Sequence, residues 1–290
     1  MIGIVINPIS GGARARLLMQ QVILYLSGIG KDYKLYESSS PGGIEEKTKE
    51  AVMDGVNSVI LAGGDGSLSE AVGELVNRNV ELLLLPCGTG NDFARALRLP
   101  KDPIEALKAQ FAGKQKKIDC GMVNGRVFAN VSGSGFDVDV LRRFEELKTV
   151  FPGEKAYRHA VMDVIVRYHP FSPQVEIDGK PISDSKYAIV EIANGQYFGG
   201  GMKVAPDAKI DDGFFDVVFV RAVPRMLIPL LLPLFISGIH TRIPLARVVH
   251  ARSVVMRKSG MTINIDGQLT EVDEARYEII PGGLLMRLPV

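Results

Sequence analysis

An aspartate ringed by glycines is the residue in this chain whose setting most directly suggests chemistry. Asp65 lies in "LAGGDGSLSE" (61–70), flanked by Gly63, Gly64 and Gly66. An apolar run precedes it, and a serine-led amphipathic stretch follows at once. Ser67 and Glu70 have the S-x-x-E spacing of a capping box, at the start of a helix striped by Leu68, Val72, Leu75 and Val76. The free N–H groups of a first helical turn, together with the helix dipole, favour an anion. Glycines let the backbone approach phosphate oxygens closely. Asp65 would repel a bare phosphate, so its natural work involves Mg²⁺ or a proton. The combination points to nucleotide chemistry.

Two further loops have the same character. "NPISGG" offers Asn7, Ser10, Gly11 and Gly12, and "CGTGND" offers Gly88, Thr89, Gly90, Asn91 and Asp92. Each loop alone reads equally well as a tight strand-to-helix turn. Three of them at one edge of one sheet favour a nucleotide site. The pattern G-x-x-x-x-G-K-[ST] is absent, which excludes that class of NTPase, and no G-x-G-x-x-G follows the first apolar run.

The elements that must position these loops are legible as a repeated order of apolar run, glycine-bearing loop and helical pattern. "IGIVIN" leads to a helix near Ala13 with Leu18, Val22 and Tyr25 on one stripe; "SVILA" and "ELLLLP" lead to the other two. Runs apolar at every position suit strands buried on both faces, and strand–helix alternation predicts an open α/β sheet. In such sheets ligands bind beyond the carboxyl ends of the strands, where all three loops would fall. After about Asp119 the texture changes to short strand-like runs: "QVEID", "YAIVEIA", "FFDVVFV", "SVVMRK" and "MTINID". They read as an antiparallel sheet or half of a sandwich, with a helical interlude at 137–168. The boundary falls near 118–126. The expected domains are 1–122, with about 283–290 expected to return to it, and 123–282.

Composition narrows the function classes. With 290 residues, 46% hydrophobic and 23% charged, the chain has the makings of a sizeable core. A formal charge of +1 argues against a broad nucleic-acid footprint. Cys87 and Cys120 and four scattered histidines suggest neither a disulfide framework nor a zinc site. No signal peptide is visible, so a reducing cytosol is the expectation. The apolar stretch "MLIPLLLPLFISGI" (226–239) is short for a membrane span and carries Pro229 and Pro233. It reads first as a buried or lid-like helix, with a surface touching a bilayer or acyl chain as the alternative.

Taken in order and spacing, "NPISGG", "GGDGSLSE" and "PCGTGNDFAR" resemble the diacylglycerol kinase catalytic-domain family, particularly its bacterial soluble lipid kinases. "ANGQYFGGGMKVAPDAKIDDGFFDV" and "INIDG" extend the resemblance over nearly the whole chain. It implies a three-layer α/β nucleotide domain like those of NAD kinase and phosphofructokinase, a C-terminal β-sandwich-like domain, and an active site in the cleft between them. It also implies transfer of the ATP γ-phosphate to a lipid hydroxyl. The implied ATP contacts are Asn7, Ser10, Gly11, Ser38, Gly64, Asp65, Gly66, Ser67, Glu70 and Thr89, to which the loop reading adds Gly63, Gly88, Asn91 and Asp92. A structural Mg²⁺ would take the Asp212 carboxylate and the backbone carbonyls of Lys209 and Phe214, hard oxygens that suit it.

Three positions depart from the family pattern: Ser67 for threonine, Ser69 for asparagine, and Gln268 for the glutamate proposed as proton acceptor. A neutral amide cannot accept a proton, yet positioning and charge neutralisation carry most of a phosphoryl transfer. The expected catalytic carboxylate is therefore Asp65, with Asp266 second; a slow or altered-specificity member is the third reading. Diacylglycerol is the leading substrate by resemblance, taken from the bilayer by a cytoplasmic protein peripheral at the inner face of the membrane. A homodimer is plausible on the same ground, and nucleic acid is not an expected partner. The rivals are a kinase of another lipid or of a soluble alcohol, and a weakly active or non-enzymatic nucleotide- and lipid-binding relative.

Overall fold

The computed structural model describes residues 1–7, 12–38, 40, 42–151, 153–182 and 185–289. The chain divides into two compact units, Met1–Cys120 with Ile210–Asp212 and Ile280–Val290, and Gly121–Lys209 with Gly213–Ile279.

The first unit is built from β1 (Ile2–Ile6), α1 (Gly12–Gly28), β2 (Tyr33–Glu37), α2 (Gly43–Met53), β3 (Ser58–Gly63), α3 (Asp65–Leu75), β4 (Glu81–Pro86), α4 (Asp92–Ala96) and α5 (Pro103–Phe111). Its four strands pair in parallel in the order β4-β3-β1-β2. Every residue of β1 and β4 is buried, as strands covered on both faces must be. On one face Ile4, Ile6, Ile60 and Leu83 pack with Val22 and Leu26 of α1 and Leu107 of α5. Strand alternation turns Val59, Leu61, Leu82 and Leu84 the other way, and all four are buried. Gln110 of α5, itself fully buried, both donates to and accepts from the Leu84 backbone at 2.8 and 2.9 Å, substituting for a neighbouring strand. Asp102 caps α5 through the Ile104 and Glu105 amides, with Pro103 in the first turn.

β5 (Lys114–Val123) leads out of this unit and pairs with β6 (Arg126–Phe128) across Asn124 and Gly125, both at positive φ as a two-residue hairpin requires. The second unit continues with β7 (Val131–Gly135), α6 (Phe136–Leu147), α7 (Gly153–Arg167), β8 (Gln174–Ile177), β9 (Lys180–Pro181), β10 (Tyr187–Ala193), β11 (Phe215–Arg221), α8 (Ile228–Ser237), β12 (Ala246–Ala251), β13 (Ser253–Ile265) and β14 (Gln268–Leu288). Its sheet runs antiparallel in the order β12-β11-β10-β7-β13-β14, and β8 flanks β13. Phe128, Phe215 and Tyr277 anchor the core, with the Phe128 ring 5.8 Å from Phe215 and 6.2 Å from Tyr277. The end of β14 returns to the first unit, where Met286 pairs with Leu82 in parallel.

Several elements depart from the sequence expectation. "SVVMRK" and "MTINID" form one strand, β13, with a register shift between Arg257 and Met261. A fourth parallel strand, β2, was not expected. Residues 210–212 group with the first unit, where Ile210 accepts from the Asp119 amide at 2.6 Å. The stretch 226–239 is largely exposed: Phe235 is the one buried residue of α8.

Candidate active site

In the first unit Ile6, Glu37, Ala62 and Leu85 lie in one register row across β2, β1, β3 and β4. The residues that follow, Asn7, Ser38, Gly63–Gly64 and the loop from Cys87, therefore emerge together at the carboxyl edge of the sheet. Ser10 and Gly11 lie outside the described residues. Asn7 donates to the Ser40 carbonyl at 3.4 Å. Ser38 is buried and donates to the same carbonyl at 2.9 Å, and a Cβ on Gly43 would stand 2.2 Å from its Oγ.

The two glycine loops meet backbone to backbone. A Cβ on Gly64 would stand 2.8 Å from Gly88 Cα, and one on Gly88 would stand 2.6 Å from Gly64 Cα. Neither position tolerates a side chain without moving main chain. Gly63 is closed off by Ser67, whose side chain would lie 2.3 Å from an added Cβ. Asn91, at φ 50°, clamps Gly88 by accepting from its N–H at 3.0 Å and donating to its carbonyl at 2.7 Å. Thr89 is exposed between them.

Asp65 ties the loops together. Its two oxygens accept from the amides of Asp92 and Phe93 at 3.1 and 3.2 Å, so it caps the short helix α4 from a residue 27 positions earlier. Asp92 is buried and pairs with Arg95, which also donates to the Gly90 carbonyl at 3.2 Å. Arg95 was missed in the sequence, although its i,i+3 spacing from Asp92 was there to read.

The expected capping box does not form. Helix α3 begins at Asp65 with Gly64 at its N-cap and no side-chain cap, and Ser67 lies inside the first turn. Glu70 accepts instead from the Ile44 amide of α2 at 3.1 Å. It therefore serves the neighbouring helix, whose first-turn donors need a partner as much as those of α3 do.

Asp266 and Gln268 belong to the second unit. Asp266 (φ 47°) and Gly267 (φ 91°) form the two-residue turn between β13 and β14. The Asp266 carboxylate accepts from the amides of Ala129, Asn130 and Val131 at 2.8, 3.1 and 2.9 Å. Releasing it toward a substrate would break three backbone hydrogen bonds, which is a physical reason against the acceptor role considered for it. Gln268 Oε1 accepts from the Arg126 guanidinium. Of the residues considered for a metal, Asp212 is exposed within 210–212 of the first unit, while Lys209 and Phe214 belong to the second. The Phe214 ring carries the Arg252 guanidinium 4.8 Å from its centre. Among the described residues no group of three or more His, Cys, Asp or Glu side chains could hold a metal.

A buried acidic pair in the second unit was also missed. Glu191, Gly133 and Asn264 stand in one row across β10, β7 and β13. The Glu191 side chain lies over Gly133, where a Cβ would be 2.3 Å from Oε2. Asp137, in the first turn of α6, accepts from Asn264 Nδ2 at 3.2 Å, and Asn264 Oδ1 accepts from the Gly267 amide at 2.7 Å. Apart from each other, Asp137 Oδ1 and both Glu191 oxygens have no partner among the described residues. Burial pushes the Asp137 carboxyl up to about 6, and burial with the charge of Asp137 beside it holds Glu191 well above the ordinary range. A glutamate inside the buried run "YAIVEIA" was the available signal.

The profile of the diacylglycerol kinase catalytic domain matches residues 1–123, and that of the YegS C-terminal NAD kinase beta sandwich-like domain matches residues 130–287. The chain belongs to the diacylglycerol kinase catalytic-domain family. It is a lipid kinase. A diacylglycerol kinase of Bacillus subtilis is 32% identical over 228 residues, 75% of this chain and 73% of that one. The fold matches a crystal structure of a diacylglycerol kinase from Bacillus anthracis with a TM-score of 0.76 at 21% identity, covering 99% of this kinase and 96% of the other chain. An NAD kinase from Archaeoglobus fulgidus, solved in complex with ATP, matches with a TM-score of 0.53 at 10% identity over 100% of this kinase and 94% of its own chain.

Proposed function

We propose that this kinase transfers the γ-phosphoryl group of ATP to the free hydroxyl of diacylglycerol, giving phosphatidic acid. One observation carries the nucleotide half of this reading. Two strand-to-helix loops are pressed together at Gly64 and Gly88 so tightly that neither admits a Cβ, and the bare main chain is left at the carboxyl edge of a parallel sheet. Such a cradle suits a polyphosphate, which needs close approach by backbone N–H groups rather than by side chains.

Asp65 fixes the two loops in register through the amides of Asp92 and Phe93. Each of its oxygens retains acceptor capacity, so the same carboxylate can face a phosphate-bound cation. Magnesium would neutralise charge developing on the transferred group, with the Asp65 carboxylate as the hard oxygen facing it; a separate structural ion would take the Asp212 carboxylate and the backbone carbonyls of Lys209 and Phe214. Ser67, in the first turn of α3, and exposed Thr89 would donate hydroxyl hydrogens to phosphate oxygens.

The acceptor side is assigned to the second unit. The transition state is loose, so the hydroxyl proton leaves late and orientation matters more than a strong base. Gln268 can orient a hydroxyl with its amide and cannot take the proton. A slower reaction than that of a glutamate-bearing relative is the expected consequence. Because diacylglycerol stays in the bilayer, the kinase works peripherally at a membrane surface, on the side where ATP is available.

The test is transfer of labelled phosphate from ATP to a panel of lipids and soluble alcohols in detergent micelles, with Asp65→Asn as control. Diacylglycerol should be labelled fastest. Preferential labelling of a sphingoid base, a ceramide or a soluble alcohol would replace this substrate assignment.

A further inference from the structure

A chain of hydrogen bonds runs from the interior of the second unit to the turn that presents Gln268. Glu191 of β10 bonds to Asp137 of α6, and Asp137 Oδ2 accepts from Asn264 Nδ2 of β13 at 3.2 Å. Asn264 Oδ1 in turn accepts from the Gly267 amide at 2.7 Å, and Gln268 follows directly. Glu191 is 0% exposed, Asp137 5% and Asn264 4%, so water has little access to these bonds. Two carboxyls in contact inside a core are costly to bury, and apolar side chains of the same size would fill the space without that cost.

The position of the proton follows from the donors present. Two carboxyls touch in such a place only when a proton lies between them. Asn264 donates to Asp137, and the backbone amides of Asp137 and Val138 at the start of α6 also favour a negative charge there. Glu191 has no partner among the described residues apart from Asp137. The shared proton therefore belongs on Glu191 and the charge on Asp137. A second proton can sit on the outer Glu191 oxygen without disturbing Asp137 Oδ2, so acid leaves the chain of bonds intact.

Loss of the shared proton does not. It leaves two charges in contact where little screens them. Glu191 cannot retreat toward the sheet, because its Oε2 already lies 2.3 Å from where a Cβ on Gly133 would be. Asp137 must give way, and its Oδ2 is the acceptor that orients Asn264. The surroundings offer no relief: β7, β10 and residues 259–265 of β13 carry no other charged side chain. Tyr277 of β14 lies near both carboxyls, and burial keeps its hydroxyl neutral. On α6 itself, Asp139 lies toward Arg142 and His169.

Asp266 holds its own part of the turn through the Ala129, Asn130 and Val131 amides, by bonds that do not pass through the pair. The turn therefore stays attached when Asn264 shifts, and what changes is the placement of Gly267 and Gln268. We propose that Asp137 and Glu191 are positioning residues for the acceptor side of the reaction: while they share a proton, Asn264 holds Gly267 and so sets where the Gln268 amide points. Ionisation of both carboxyls loosens that hold. The proposal rests on the lipid-kinase reading for the step it serves and adds an alkaline limit to it. Phosphoryl transfer depends on alignment to within about an ångström, so kcat should fall with the shared proton while ATP binding, assigned to the first unit, does not.

Two measurements on the full chain test this from about pH 6 to about pH 10. The first follows the Gly267 amide resonance in protein carrying isotope-labelled glycine, without ATP or lipid. The second follows labelled phosphate passing from ATP to diacylglycerol in micelles. The amide should move in one alkaline transition. With the same midpoint, kcat should fall about tenfold per pH unit while KM for ATP stays within about twofold. Glu191→Gln gives Asp137 a permanent amide donor, and Asp137→Asn gives Glu191 one while still accepting from Asn264. Each should keep kcat at neutral pH within about threefold of wild type, hold Gly267 still and abolish the alkaline limb. A merely structural pair would leave that limb in place in both variants. Transfer to no acceptor, with Gly267 moving as described in wild type alone, overturns the substrate assignment and leaves the hold of the pair on the turn standing. A Gly267 amide that does not move with pH, an alkaline limb that survives in either variant, or a loss that falls on KM for ATP overturns this proposal.

Discussion

Asp65 and Asp266 are both aspartates beside glycine, and both commit their two oxygens to backbone amides, yet they perform different mechanical tasks. Asp65 reaches across to another loop and holds the first turn of α4 with two hydrogen bonds. Asp266 reaches to the start of β7 and holds three consecutive amides beside the hairpin turn it occupies. The first arrangement sets the relative position of two loops that form a cradle. The second fastens a turn to its own sheet. A D-G pair in a sequence therefore reports a backbone that needs anchoring, and the partner decides whether the anchor also shapes a site.

The strongest way to break this contrast is to fill the cradle. Gly88→Ala places a Cβ 2.6 Å from Gly64 Cα, and Gly64→Ala meets Gly88 in the same way. Each substitution should reduce kcat/KM for ATP by more than about 100-fold, as expected when a positioned site shifts by an ångström. Titration calorimetry should show ATP affinity falling with it, while circular dichroism retains the native spectrum. Next comes the pair Asp65→Asn and Asp266→Asn. In each, one carboxylate oxygen becomes an NH₂ group that cannot accept. Asp65→Asn should lower kcat by about 100-fold or more with a small change in Tm. Asp266→Asn should cost about 1–2 kcal/mol of stability, read by denaturant unfolding, with kcat of the folded protein within about threefold of wild type. The reverse pattern would exchange the two roles.

Much of this contrast could be read beforehand, for physical reasons that stop at a definite point. β3 and β4 were legible because strands covered on both faces must be apolar at every position. β2, "YKLYE", carries Lys34 and Glu37, is mostly exposed and offers no such run. The need for glycine at 64 and 88 was legible because glycine is seldom clustered without a backbone reason. The partners of Asp65 and Glu70 were not, because each lies about 26–28 residues away and only the fold brings it near. The S-x-x-E spacing was a chance likeness to a cap. Composition pointed to burial for α8, but exposure depends on what the rest of the chain leaves uncovered.

Gln268 sharpens the comparison from the other side. Its side-chain oxygen already accepts from Arg126, so a glutamate placed there would be held ionised by the same guanidinium. If the second unit supplies only orientation, Gln268→Glu should add a proton acceptor and raise kcat about tenfold or more, the usual gain of about 100-fold or greater being reduced because the guanidinium weakens the base. The pH–rate profile should gain an acidic limb that wild type lacks. An unchanged or lower kcat would assign the amide another task.

The smallest effect concerns the acidic pair that Asn264 links to the same turn. Burial raises Asp137 to about 6, and burial with the charge of Asp137 raises Glu191 well above the ordinary carboxylate range. The folded state therefore binds more protons than the unfolded chain between about pH 4 and those raised values. Its stability from this pair is fully present below the unfolded pKa and is lost as pH rises through the folded ones. Tyr277, whose hydroxyl is also pushed up by burial, stays neutral throughout and does not offset the change. Glu191→Gln keeps the size and a donor toward Asp137 while removing one ionisation. Its Tm relative to wild type should rise by a few degrees between pH 5 and pH 8, with little difference at pH 4. Shifts of the same size in Asp266→Asn would place the pH response in the turn rather than in the pair; a flat difference across the range would mean that Glu191 carries no proton to lose.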